Sequence, residues 1–333
     1  MRFLLDTEQR AFASSLDAML ASADTPSAVR AWADGDHAPG RVLWSRLAEA
    51  GVFALAVPEA YEGAGPLPVE LAVAFLELGR HAVPGPVVET VAAAVLLGEL
   101  SALGEPGPAE RLLPGLASGK SVATFAPDGA PALDADAATV LLAVDGRGLW
   151  LAPGPGPVRV SVDRARRLAR AQDGGELLAA GPQVARAALR ALAWARLATA
   201  AQALGVGLAL LGRTVAYVGR RTQFGVPVAS FQAVKHRLAD AMIALEFARP
   251  LLFGAALSMA PAEVAAAKVT ACEAAYATAR AALQLHGAIG YTAEYDLSLW
   301  FTKARALRTA WGTPAECRAE ALAGLSGAGR PRS

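Results

Sequence analysis

The chain has 333 residues, of which 54% are hydrophobic, with 31 Lys and Arg balanced against 30 Asp and Glu. That length and apolar content allow more than one core. The charge balance argues against a nucleic-acid binder or a polybasic membrane binder, and the two cysteines, Cys272 and Cys317, make no disulfide framework. Four scattered histidines, His37, His81, His236 and His286, show no zinc pattern such as H-E-x-x-H, so no metal is expected.

Met1 to Asp6 is too short and too soon charged for a secretory signal. Residues 3–21 then predict an amphipathic helix, with Phe3, Leu4, Phe12, Leu16, Met19 and Leu20 near helical spacing. Residues 22–39 read as loop-rich around Pro26, Gly35 and Pro39, with a short helix allowed over Val29 to Trp32. Helices are predicted over 42–50, 68–81, 87–100 and 108–116, separated by Gly and Pro breaks. Apolar runs such as Val91 to Leu97 are too short to span a bilayer, and the expectation is a cytoplasmic protein. Residues 1–118 thus form a helical N-terminal domain.

From Gly119 the punctuation changes. Short β-like runs occur at 121–125, 139–144, 149–152 and 158–162, divided by Pro, Gly and Asp. Asp145-Gly146 suits a hairpin turn, and Pro153 to Pro157 a stiff surface loop. Residues 119–183 are therefore expected to be a small central β-domain, sheet or barrel. Helical periodicity returns in 184–220, with an interruption allowed near Gly205-Val206-Gly207, then in 229–256, 261–286, 293–307 and 314–325. Long helices with short connections predict a C-terminal four-helix bundle over 184–326, followed by a polar tail, 327–333. The fold class is mainly α with a small central β-domain.

The most informative stretch is Arg221-Thr222-Gln223-Phe224-Gly225-Val226-Pro227, followed by Phe231-Gln232. Gly225 tolerates backbone angles that other residues resist, and Pro227 disfavours helix just before it. An Arg, an aromatic ring and a Gln at a corner between helices suit an anionic, planar ligand. The same residues also suit an ordinary interhelical turn, with Arg favoured by the helix dipole.

Taken with Gln284-Leu285-His286-Gly287-Ala288-Ile289-Gly290-Tyr291-Thr292-Ala293-Glu294, Val57-Pro58-Glu59, Glu62-Gly63-Ala64-Gly65 and Glu77-Leu78-Gly79-Arg80, this stretch resembles the acyl-CoA dehydrogenase family, in an actinobacterial-type form, over nearly the whole chain. The resemblance implies FAD, with its isoalloxazine between β-domain and bundle and its ADP half gripped by the bundle of a neighbouring subunit. It implies that Arg221 faces the pyrophosphate, Phe224 the adenine end and Gln232 polar groups of the nucleotide. Gln284, Gly287 and Ala288 would let backbone approach the same moiety, Ala288 replacing a glycine usual in the family. Thr313, in the Gly312-Thr313 pair, joins the implied cofactor-binding residues. The implied reaction is α,β-desaturation of an acyl-CoA thioester, in which a carboxylate removes the α-proton while a hydride leaves the β-carbon.

The chain departs from that pattern where the base should stand. One subgroup carries its Glu just before Gly-Thr, where this chain has Trp311; another carries it just before an Arg, where this chain has Ala195 followed by Arg196. Glu294 and Asp296 read as helix N-terminal caps, Glu316 as a residue near the start of the last helix where the dipole favours a carboxylate, and Glu246 as a solvated or salt-bridged face. Between Val122 and Leu142 no match to the family's flavin-ring segments is found, so the middle domain reads as shortened. These features imply a base-lacking subunit of a hetero-oligomer that shares an FAD site with a homologous subunit, acting on an acyl-CoA. The alternatives are a non-catalytic scaffold of the same fold and a flavin-dependent monooxygenase.

Overall fold

A computed structural model of the protein describes residues 4–127 and 129–328. In chain order the helices before the first strand are α1 (Thr7–Ala21), α2 (Thr25–Ala33), α3 (Ala38–Glu49), α4 (Pro68–Arg80), α5 (Val87–Ala102) and α6 (Gly107–Ala117), with 3-10 turns at Val52–Ala56 and Glu59–Tyr61. The strands β1 (Ala123–Ala126), β2 (Ala132–Leu133), β3 (Val140–Asp145), β4 (Gly148–Leu151), β5 (Arg159–Val160), β6 (Arg167–Ala169) and β7 (Glu176–Ala179) follow. Then come α7 (Pro182–Arg220), the small strands β8 (Thr222–Gln223) and β9 (Val226–Pro227), and α8 (Gln232–Ser258), α9 (Pro261–His286), α10 (Leu297–Leu307) and α11 (Pro314–Ala328). This is the helix, sheet, helix order expected.

Phe3, counted in the expected first helix, lies outside the described residues. Asp6 starts α1 with a capping box: its carboxylate accepts from the Gln9 backbone N–H, and the Gln9 side chain accepts from the Asp6 N–H. The loop-rich reading of 22–39 needs correction. Asp24 caps the Ser27 N–H, Pro26 sits in the first turn where its missing donor costs nothing, and α2 runs to Ala33. The polar tail expected over 327–333 is described only at 327 and 328, which continue α11.

The chain clusters into two compact units. One, residues 23–71 and 83–195, holds α2, α3, α5, α6 and the strands β1 to β7. Its sheets have the orders β1-β3-β4-β7 and β2-β6-β5. The Asp145-Gly146 hairpin forms as expected: Asp145 pairs with Gly148, and its Oδ1 accepts from the N–H groups of Arg147 (2.8 Å) and Gly148 (3.0 Å). The strands β2, β6 and β7 carry two to four residues each, too few to show a two-residue period, and sequence reading missed them. Pro153 to Pro157 is pinned as well, since the Gly156 N–H donates to Arg170 and the Gln172 N–H to Gly154.

The other unit, residues 1–22, 72–82 and 196–333, contains α1 and the bundle helices α8 to α11 together with most of α7 and α4. Here α7 runs without interruption. Gly205 and Gly207 are present because neighbours come too close for a side chain. A Cβ on Gly205 would lie 1.9 Å from the Leu76 carbonyl oxygen, and one on Gly207 would lie 2.5 Å from Leu245. Gly79 does the same from the α4 side, where a Cβ would lie 2.0 Å from the Gln202 carbonyl oxygen. Around this crossing, Val206, Leu210, Cys272, Ala275, Ala279, Leu297, Trp300 and Leu307 form a buried core. Trp300 is fully buried and its indole N–H donates to the Arg80 carbonyl at 2.9 Å.

Apolar length also needs correction: α7 and α8 are both long and apolar enough to cross a membrane by length and composition. α7 is mostly buried in protein, as a core helix is. α8 instead exposes Ile243, Phe247 and Leu251, spaced four apart as one stripe, with Met242 beside it.

Candidate functional site

The ends of three helices meet at the corner predicted from sequence. After Arg220 ends α7, β8 and β9 pair as a two-residue hairpin, Gln223 opposite Val226. Its turn residues, Phe224 (φ 53°) and Gly225 (φ 78°), are both left-handed. Two such residues make a hairpin turn whose twist matches its strands. Gly takes that conformation freely; Phe does so at a cost. The Phe224 ring is 92% exposed, so core packing does not offset that cost; it meets Phe231 edge-on, at 6.3 Å between ring centres. Backbone strain held for an exposed aromatic is a pointer to function.

Arg221, Gln232, Gln284, Gly287 and Ala288 are all exposed. The Arg221 guanidinium makes no ion pair among the described residues and lies 6.0 Å from the Tyr217 ring centre. Tyr217 in turn stacks on His286 at 4.2 Å, tying the end of α7 to the end of α9. Arg237 of α8 donates to the side-chain amide oxygen (Oε1) of Gln284, tying α8 to α9. Gly287 caps α9 at φ 64°, with open space where a side chain would stand. The structure thus brings together six of the sequence-predicted residues: Arg221, Phe224, Gln232, Gln284, Gly287 and Ala288. Beneath them His286 is buried. Its Nδ1–H donates to the Ala282 carbonyl (2.8 Å), its Nε2 has no partner, and burial lowers its pKa, which keeps the ring neutral. Sequence reading left His286 aside as one polar helix-end residue; its spacing of four from Ala282 is the signal that locates its bond.

Thr313, the seventh, lies elsewhere. It is the N-cap of α11: its N–H and hydroxyl both donate to Glu316, at 2.7 and 2.9 Å, and its Oγ1 accepts from the Glu316 N–H at 3.3 Å. The loop before it is anchored on Lys268 of α9, whose ammonium donates to the carbonyls of Arg308 (3.0 Å) and Gly312. Lys268 and His286 stand eighteen residues apart on α9, about 27 Å at 1.5 Å per residue. Thr313 and the corner therefore stand toward opposite ends of α9 within one chain.

The two places where a base was looked for fall at this second end. Ala195 is buried, and Arg196 beside it donates from Nε to the Trp311 carbonyl at 2.9 Å. Trp311 is held at φ 57° and Gly312 at φ 131°. The carboxylates around this loop are committed. Glu320 pairs with Arg196 at 2.5 Å, and Glu273 pairs with Arg308 at 2.7 Å. Glu316 accepts from Thr313, whose N–H foremost holds its pKa below the usual carboxylate range. Glu316 thus stands in the first turn of α11, the place where the helix dipole favours a carboxylate. Asp296 stands at the N-cap position of α10 without a side-chain cap bond, a departure from expectation. Glu246 pairs with Arg249 on the face of α8, as read. Burial pushes the Cys272 thiol up to about 12, which removes it as a nucleophile.

The mixed unit carries a cleft of about 360 Å³, bounded by Ala126, Trp150, Arg170 and Gln172. That volume falls within the range of small-ligand sites. The Trp150 indole N–H donates to Asp145, and this bond, ahead of the Arg147 N–H, pulls the Asp145 carboxyl down to about 2. The bond fixes the ring at the cleft wall.

Comparison with known proteins agrees at both ends of the chain. Residues 6–120 match the acyl-CoA dehydrogenase N-terminal domain, and 185–321 the C-terminal domain. The chain is 34% identical to acyl-CoA dehydrogenase IpdE2 of Mycobacterium tuberculosis, over 89% of this chain and 91% of that one. It is 27% identical to the solved Tcur3481-Tcur3483 steroid ACAD G363A variant, with a TM-score of 0.79 over 96% of this chain and 98% of the other. The ChsE4-ChsE5 complex from Mycobacterium tuberculosis, 24% identical with a TM-score of 0.83 over the full length of both chains, shares the fold.

Proposed function

This chain belongs to the acyl-CoA dehydrogenase family of oxidoreductases, and we propose that it is a base-lacking subunit that completes an FAD site shared with a homologous subunit. One observation carries the reading. Ala195 and Trp311 occupy the two places where the family resemblance calls for a carboxylate, and Glu273, Glu316 and Glu320 around them are each tied to a neighbour. An ion pair or a helix cap stabilises the charged carboxylate and lowers its affinity for a proton.

The corner fits the cofactor the family uses. Arg221 offers an unpaired cation to a pyrophosphate, and an Arg fork binds phosphate oxygens in pairs. Phe224 offers an exposed ring face, and Gln232 an amide at the exposed start of α8. Gly287 leaves its backbone open to close approach. When bound, FAD supplies the hydride acceptor. The chain's own residues hold and orient the nucleotide; removal of the α-proton of an acyl-CoA then falls to the sister subunit. The apolar stripe Ile243, Phe247 and Leu251 supports an assembled state, since exposed patches of this kind mark interaction surfaces. A similar solved structure carrying two joined designations points the same way. In this reading residues 1–118, 119–183 and 184–326 act as three functional segments of a cytoplasmic enzyme.

The test compares the chain purified alone with the chain co-expressed with a homologous family member. Acyl-CoA-dependent dye reduction is read alongside flavin absorbance. The expected result is no turnover alone and turnover with bound flavin in the pair. Brisk turnover by the isolated chain would refute the proposal.

A further inference from the structure

α1, the last turn of α4 and the residue after it bring Asp17, Glu77 and His81 together. Glu77 and His81 are four residues apart and share one face, with the His81 N–H still donating to the Glu77 carbonyl in helical fashion. Asp17 reaches them from α1, so no sequence spacing announces the group. His81 Nε2 and Asp17 Oδ1 are 2.8 Å apart, and one ligand atom from each of the three residues lies within 4.8 Å of the others.

The second observation is an unmet bond. Glu77 is only 6% exposed, yet its Oε2 has no hydrogen-bond partner. Arg80 Nε stands 3.5 Å from it, at the limit of hydrogen-bond reach, on a side chain that is 45% exposed. A buried carboxylate oxygen left without a bond is costly. Burial, ahead of the opposing Arg80 charge, pushes the Glu77 carboxyl up to about 7. Asp17, half exposed, gives solvent a way in.

We propose that Asp17, Glu77 and His81 bind one divalent cation of the zinc class, with water completing the coordination. One imidazole nitrogen and two carboxylate oxygens suit Zn2+, which takes such ligands at about 2.0–2.2 Å and keeps an open position when the protein supplies three. Ligand atoms around such an ion sit about 3.3–3.6 Å apart, so small side-chain rotations suffice. The ion takes the place of the proton between His81 Nε2 and Asp17 Oδ1, which passes to His81 Nδ1 or to solvent, and gives the Glu77 carboxylate a closer partner than the long Arg80 ion pair. Mg2+ and Ca2+ want six or more oxygens and fit poorly.

The experiment is calorimetric titration of chelator-treated, full-length protein with Zn2+ and, separately, Mg2+. One saturable Zn2+ site and no Mg2+ site are expected. His81→Ala and Glu77→Gln should each weaken Zn2+ binding by about tenfold or more. Asp17→Asn, on the exposed arm, should do the same and guards against misfolding of the buried variants. His236→Ala, removing an exposed histidine on α8, should leave the titration unchanged. Absence of a one-to-one site, or binding that survives loss of His81 and Asp17 or disappears with His236, would overturn the proposal. Because the readout is metal uptake, its failure leaves the flavin-sharing reading untouched, and the reverse also holds.

Discussion

The bundle unit has two candidate ends, set apart along α9, and they are built on opposite principles. At the corner, Arg221, Phe224, Gln232 and Gly287 are exposed and little engaged, and the backbone bears strain that local packing does not repay. At the loop around Trp311, the backbone is also left-handed, but Lys268 and Arg196 hold its carbonyls and the nearby carboxylates are paired. Strain at the first end keeps groups available; strain at the second is absorbed by buried cations. An available group can meet a ligand, whereas a committed one holds structure.

The contrast can be tested from its strongest member downward. Lys268→Met should destabilise the fold by about 3 kcal/mol, because the loop loses a buried charged donor and its carbonyls stay unmatched. Urea denaturation measures this, and a loss under about 1 kcal/mol would remove the anchoring role. Thr313→Ala should cost about 1 kcal/mol, the usual worth of a cap. If its stability is unchanged while bound flavin falls, Thr313 belongs with the available groups instead.

His286 gives a smaller, pH-dependent signal. Its folded pKa is lowered, so the unfolded chain binds the extra proton first as pH falls through about 6.5. Stability should therefore decline below that pH, by less than about 1 kcal/mol, and His286→Gln should flatten the decline. Denaturation midpoints at pH 5 and 7 compare the two proteins. Arg221→Ala should change stability least, within about 0.5 kcal/mol, as exposed substitutions do. Flavin retained by the assembled complex should nonetheless weaken about tenfold, the worth of a charge-assisted bond. Unchanged flavin content in that variant would erase the distinction between the two ends.

How much of this was legible differs by element. α9 was predicted at its observed bounds, since Pro261 starts it and Gly287 stops it. α2 was read mostly as loop because Pro26 looked like a breaker, while its position in the first turn made it a starter. Gly205 and Gly207 looked like an interruption, because sequence does not show that Leu76 and Leu245 pass within touching distance. The corner residues were found from their chemistry and order, whereas the separation of Thr313 from them along α9 is one that linear order cannot show.

Sequence alone determined the helical and β segments of the chain, the corner motif and the lack of a carboxylate at positions 195 and 311. Each of these is a property of residue type and local spacing, which near neighbours enforce. Only the tertiary structure decided which groups are spent. Pairing Arg196 with Glu320, Lys268 with the 308–312 carbonyls and Asp17 with His81 depends on helices far apart in the chain meeting at one point. Availability depends on those meetings, because a charge becomes free or bound according to what the fold sets beside it.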